Sequence, residues 1–183
     1  MKVLLASASP RRRQLLAQIT EFEVEPSSFE ERAVGLSARE TALAFARGKA
    51  LDVFLKHPDC LVLGADTVVC LNGEIFGKPK DAEDAKRMLR LLSGKTHSVF
   101  TGVCLMREGA AAEGTDETKV SFLQLNDEAI EAYVASGLPF GKAGAYGIQD
   151  GGLVEKIEGS YSNVVGLPVE LTKELFRKVS EEL

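Results

Sequence analysis

The residues with the greatest chemical potential fall in a few short stretches. Ser7-Ala8-Ser9-Pro10-Arg11-Arg12-Arg13 follows directly on the apolar run Val3–Ala6. Ser9 is a good helix N-cap and Pro10 suits a first helical turn. The stretch therefore reads as strand, tight turn and helix N-terminus. Free backbone N–H groups and the positive end of the helix dipole meet there, which suits an oxygen-rich anion such as phosphate. The competing reading is an ordinary capped helix whose arginines are solvated.

Asp66 lies inside Leu61-Val62-Leu63-Gly64-Ala65-Asp66-Thr67-Val68-Val69. A carboxylate in an apolar strand is unfavourable unless it is paired, hydrogen-bonded or bound to metal. Its natural roles are Mg²⁺ ligand or base for an attacking water; the alternative is a bulge residue satisfied by local N–H groups. Lys78 sits in Gly77-Lys78-Pro79, where the backbone is restricted around a long cation, although such a triplet is also a common solvated turn. Lys49 lies near the apolar stripe of a long helix and by itself reads as a snorkelling surface lysine. Gly141-Lys142-Ala143-Gly144-Ala145-Tyr146-Gly147-Ile148-Gln149 suits a loop that wraps a ligand, or a flexible surface loop. The Gln149 amide both donates and accepts, as reading a base edge requires. Together, Arg11, Arg12, Arg13, Lys49, Lys78 and Asp66 fit a triphosphate with a divalent metal, because phosphoryl chemistry depends mainly on charge neutralisation.

Alternating elements must hold these residues. Val3–Ala6 predicts a strand, and Pro10–Ile19 a helix with Leu15, Leu16 and Ile19 on one face. Phe22–Val24 is a short strand. The capping box Ser37-Ala38-Arg39-Glu40 opens a long helix along Leu43, Ala46, Ala50 and Phe54. Asp59–Leu71 is strand-like, interrupted at Gly64-Ala65-Asp66. Asp81 caps a helix to Leu92, and Gly94 closes it. Strands are expected near Ser98–Met106 and Thr118–Leu125. A helix runs from the Asn126 cap to Ser136, and Gly137 ends it. Residues 137–152 read as loop, Leu153–Ile157 as a strand, Ser160–Asn163 as a polar turn and Val169–Val179 as a last helix. The interleaving predicts a mixed α/β domain over residues 1–183 with a central sheet flanked by helices.

The chain has 183 residues, and its net charge of −5 argues against a nucleic-acid polymer as partner. Cys60, Cys70 and Cys104 form no zinc pattern and read as reduced, mostly buried thiols. The apolar start is too short for a signal peptide and no stretch is long enough for a membrane span, so the cytoplasm is the expected location. His57 and His97 lack metal spacing, and no GxSxG, Walker A or GxGxxG pattern occurs.

In order along the chain, Ser7-Ala-Ser-Pro-Arg-Arg12, Gly64-Ala-Asp-Thr-Val68, Gly77-Lys-Pro79, Leu92-Ser-Gly94 with His97, Thr101-Gly-Val103, Lys142–Gln149 and Val165-Gly-Leu-Pro168 resemble the Maf family of nucleoside triphosphate pyrophosphatases. Each motif is weak, but the ordered set is specific. The resemblance implies a twisted mixed sheet with two lobes around a deep cleft. It also implies cleavage between the α- and β-phosphates with Mg²⁺ or Mn²⁺. Lys142–Gln149 looks like the branch acting on dTTP and UTP, with CTP and modified pyrimidine nucleotides as further candidate substrates; the 7-methyl-GTP branch and a nucleotide-sensing regulator of cell division are the alternatives. Asp66 matches the general base and, with Lys78, the catalytic pair. Arg11, Arg12, Lys49 and Lys78 match phosphate-side positions with Ser7 in the same loop, Arg12, Thr67 and Gln149 match positions tied to substrate choice, and Asp66 and Glu31 are the expected metal ligands. Arg13 extends the motif without an assigned role, and Gln149-Asp150-Gly151-Gly152 looks shorter than usual. A homodimer is compatible with such enzymes.

Overall fold

A computed structural model describes residues 1–32 and 35–181. Its strands are β1 (Val3–Leu5), β2 (Glu23–Val24), β3 (Leu61–Leu71), β4 (Glu74–Phe76), β5 (Thr96–Arg107), β6 (Ala110–Phe122) and β7 (Val154–Glu158). The helices are α1 (Pro10–Leu16), α2 (Ala38–Phe54), α3 (Ala82–Leu92), α4 (Asp127–Ala135), α5 (Tyr161–Val165) and α6 (Val169–Glu181). Among the described residues, one mixed sheet runs β2-β1-β3-β5-β6-β7, with β4 also on β3. β1 is parallel to β2 and β3, and the remaining pairs are antiparallel. This is the mixed α/β class expected from the sequence.

The predicted caps form. Ser9 accepts from the Arg12 N–H, Asp81 from Asp84 and Asn126 from Ala129, while Ser37 and Glu40 exchange both bonds of a capping box. Several boundaries differ. Asp66 does not interrupt β3, which is continuous because β5 pairs with it from Val62 to Cys70. β6 begins at Ala110, not Thr118, since its full pairing with β5 overrides the weak strand preference of Ala110–Gly114. α1 stops at Leu16, β4 was not foreseen, and Ser160 caps a short helix where a turn was expected.

Two glycines set how α2 lies on the sheet. A Cβ on Gly64 would collide with the Ala46 carbonyl, and one on Gly102 with the Ala42 carbonyl. The helix backbone can thus press directly on β3 and β5. α2 covers one face of the sheet, where Ala46, Ala50, Val53 and Val62 pack together. The other face carries two apolar clusters, one around Phe76, Leu89, Phe122 and Ile130, the other around Leu5, Leu16, Leu105 and Leu175.

The edge of β3 has a gap. β1 pairs with Leu61–Leu63 and β4 with Val69–Leu71. Between them, Gly64–Val68 have no strand on that side among the described residues. Asp66 and Thr67 lie within this gap, and because side chains alternate along a strand they project to opposite faces.

Candidate functional site

A cleft of about 1040 Å³ opens at the gap. Ser7, Arg11, Arg12, Glu31, Lys49, Asp66, Thr67, Lys78 and Gln149 all line it. The structure therefore brings every residue singled out for the site to one place, from β1–α1, the segment after β2, α2, β3, the turn after β4 and the loop before β7. Arg13 does not line it and is exposed.

On the α2 face, Lys49 joins two carboxylates. Its Nζ lies 2.6 Å from Asp66 Oδ1 and 2.7 Å from Glu31 Oε1. Asp66 is buried, and burial pushes its carboxyl above the ordinary range against the pull of Lys49 and Arg12. At Glu31, burial again favours the neutral form, but the Lys49 hydrogen bond and the charges of Lys49, Lys78 and Arg12 hold the carboxyl below its usual value. The two carboxyls are thus driven apart, one toward proton acceptance and one toward permanent charge. Asp66 Oδ2 has no protein hydrogen-bond partner among the described residues, and Asp66 lines the cleft.

Glu31 reaches Lys49 because its segment is strapped to α2. The Phe29 ring rests where a Cβ on Gly48 would be and packs edge-on against Phe45 at 6.2 Å. Nearby, Asp52 accepts from Ser28 N at 2.8 Å and Ser27 Oγ at 2.9 Å. Those bonds, with Lys56, pull the Asp52 carboxyl down to about 2.

On the opposite face the groups are largely neutral. Arg12 is fixed by three acceptors: Nε donates to the Gly166 carbonyl at 2.8 Å, Nη1 to Ser7 Oγ at 3.3 Å and Nη2 to Thr67 Oγ1 at 3.1 Å. A guanidinium has five N–H donors, so two remain for an oxyanion. Behind Arg12, Thr67 Oγ1 lies 2.9 Å from Thr101 Oγ1, and Thr101 donates to the Asn163 carbonyl at 3.0 Å. Asn163 is fully buried and ties α5 to the sheet through Val99 O and Thr118 Oγ1. This polar seam lies between the two apolar clusters of that face.

The loop before β7 forms the remaining wall. Lys142 is paired with Asp150 at 2.7 Å, and Tyr133 donates to the same Asp150 oxygen, so Lys142 serves the loop's shape. Gln149 is exposed beside Arg11, whose guanidinium burial lowers and Asp150 partly restores in pKa. Tyr146 is anchored from below by His97, with Oη 2.7 Å from Nε2. Lys78 is exposed and has no ion-pair partner among the described residues.

Sequence reasoning missed Asp150 and Tyr133. It met Thr101 only within a motif and Asn163 only as part of a turn. No group of three His, Cys, Asp or Glu residues converges among the described residues. The two carboxylates that could hold a cation, Asp66 and Glu31, already share one, the Lys49 ammonium. A carboxylate pair of this kind suits Mg²⁺ or Mn²⁺ when substrate phosphates and water supply the other ligands. No helix among the described residues is long and apolar enough to cross a membrane.

The family model described as "Maf-like protein" matches residues 2–179. A Pyrococcus horikoshii protein named dTTP/UTP pyrophosphatase is 46% identical over 177 residues, covering 96% of this chain and 95% of its own. A protein of the same name from Pyrococcus furiosus is 48% identical over 92% of this chain and 90% of its own. Another, from Carboxydothermus hydrogenoformans, is 47% identical over 99% and 98%. With a match of that extent and an ordered set of motifs gathered in one cleft, the chain belongs to the Maf family.

Proposed function

We propose that this protein hydrolyses dTTP and UTP to the monophosphate and pyrophosphate, in the service of nucleotide pool sanitation. The observation that carries the reading is the convergence of Arg11, Arg12, Lys49 and Lys78 with Asp66 and Glu31 on one cleft at the open edge of β3. The relatives named for this activity align over nine-tenths or more of both chains and support this choice of substrates.

In this reading Asp66 takes the proton of a water aligned with the α-phosphorus. The water oxygen bonds to phosphorus as the bridging oxygen to the β-phosphate departs with pyrophosphate. A carboxyl whose pKa burial has raised is a stronger base than an ordinary aspartate, and Oδ2 is the free atom for the proton. Lys49 orients the Asp66 carboxylate through Oδ1. Arg11 and Lys78 neutralise the charge that gathers on the leaving pyrophosphate, and Arg12, bonded to Thr67, joins Thr67 and Gln149 in substrate choice. Asp66 and Glu31 would hold Mg²⁺ or Mn²⁺, which when bound supplies further charge neutralisation at the phosphates. Gln149 reads the base edge.

The test is a panel of nucleoside triphosphates with pyrophosphate and orthophosphate detected separately. Pyrophosphate from dTTP and UTP, with little from purine nucleotides, is expected. Preferential turnover of 7-methyl-GTP, or release of orthophosphate alone, would replace this reading.

A further inference from the structure

The hydroxyl chain behind Arg12 has a fixed direction. The Asn163 main-chain carbonyl can only accept, so Thr101 Oγ1 gives it its one hydrogen at 3.0 Å. Thr101 then has only lone pairs to offer Thr67 Oγ1 at 2.9 Å, and Thr67 must be the donor. Arg12 Nη2 has only hydrogens, so Thr67 accepts from it at 3.1 Å. The Thr67 hydrogen is therefore directed away from the cleft. Its remaining capacity toward the cleft, which it lines, is as an acceptor.

The far end of the chain is locked as well. Thr101 and Asn163 are both fully buried. The Asn163 amide nitrogen donates to the Val99 carbonyl at 3.1 Å and to Thr118 Oγ1 at 2.9 Å, which fixes its orientation. Thr118 in turn gives its hydrogen to the Ser160 carbonyl at 3.1 Å. No member of the series can reverse without leaving two hydrogens or two lone pairs facing one another.

We propose that Thr101 is a positioning residue for substrate selection: it holds Thr67 as an acceptor without a donor, so the substrate group seated against Thr67 is a hydrogen-bond donor, which on a pyrimidine base is an N–H. The proposal rests on the dTTP/UTP reading above. Uracil and thymine carry a hydrogen on ring nitrogen N3, where cytosine carries a lone pair. A locked acceptor welcomes the first two and opposes the third. Without Thr101, the Thr67 hydroxyl can turn its hydrogen toward the cleft and meet either base.

Thr101→Val is a clean test, because the Asn163 carbonyl keeps the Gly166 N–H at 3.1 Å and no buried acceptor is orphaned. The expected variant unfolds near the wild-type temperature. Its KM for UTP rises about fivefold with kcat within about twofold, and its kcat/KM preference for UTP over CTP falls by about the same factor. Thr101→Ser restores both. N3-methyl-UTP is a poor substrate for wild type and gains relative to UTP in the variant. If Thr101→Val does not fold, Thr67→Ala removes the same acceptor from the half-buried side and must narrow the same preference. An unchanged UTP-to-CTP ratio, or equal loss on both nucleotides, overturns the proposal while leaving the substrate reading intact. A wild type that releases pyrophosphate from neither dTTP nor UTP overturns the reading, and the proposal with it.

Discussion

Asp66 and Thr67 are neighbours on one strand, yet they face two different physical worlds. The Asp66 side is ionic. A buried carboxylate, a lysine and a second carboxylate are in contact, and α2 presses on the sheet through Gly64 and Gly102. The Thr67 side is a directed series of hydroxyls and amides with one guanidinium at its mouth. Charge in a low dielectric acts strongly but without fine direction, whereas hydrogen bonds discriminate by direction. Under the proposed function, reaction rate would belong to one face of β3 and substrate choice to the other.

Removing the base should have the largest effect. Asp66→Asn is expected to lower kcat by about 10³-fold with a small change in KM. Pyrophosphate release under saturating UTP measures it. A loss mainly in KM would move Asp66 from rate to binding and erase the contrast between the faces.

Lys49→Met comes next. Burial already raises the Asp66 pKa, and Lys49 is the foremost group opposing that rise. Without it the pKa climbs further, so the ionised base is lost at higher pH. The acid limb of kcat should shift upward, with kcat at neutral pH lower by about tenfold or more. An acid limb that stays in place would mean that Lys49 serves the phosphates alone.

A smaller effect is expected from Phe29→Ala. The ring is 37% exposed, so stability should change by about 1 kcal/mol or less. Its loss releases the strap that carries Glu31 to Lys49. The half-saturating Mg²⁺ concentration should rise about tenfold, since a supporting contact acts through the ligand it orients. If Mg²⁺ dependence is unchanged, Glu31 finds its place without the strap.

The ionic face was the more legible from the sequence. Asp66 declared itself as a carboxylate within an apolar strand, and the arginines as cations at a capped turn. What could not be read was the Lys49–Asp66 contact, because it depends on the close approach permitted by Gly64 rather than on any pattern in α2. The neutral face was harder. A threonine is an ordinary strand residue, so Thr101 and Thr118 carried no sign that their hydroxyls were engaged. Asn163 looked like part of a turn because α5 is only five residues long, too short to show a helical period. The strand at Ala110–Gly114 was hidden for a related reason, since its pairing partners and not its own composition make it a strand.

The neutral face also carries a buried imidazole that titrates in acid. His97 is buried against Phe122 and Tyr146, its Nδ1 has no partner among the described residues, and burial lowers its pKa to about 4. In the unfolded chain the imidazole returns to about 6.5. Above pH 6.5 both states are neutral and the contribution is constant. As pH falls from 6.5 toward 4, the unfolded state takes up the proton first and stability is lost, by about 3 kcal/mol in all. Urea midpoints at pH 7 and pH 4.5 would follow the loss, and His97→Gln, which cannot titrate, should flatten that part of the curve. Because Tyr146 lines the cleft and hangs on His97, acid should loosen the wall carrying Gln149 through stability, while on the other face it acts through protonation of Asp66. If His97→Gln leaves the acid slope as steep as before, the titrating load lies with the carboxylates, and the division of the two faces would extend to rate and selection but not to pH.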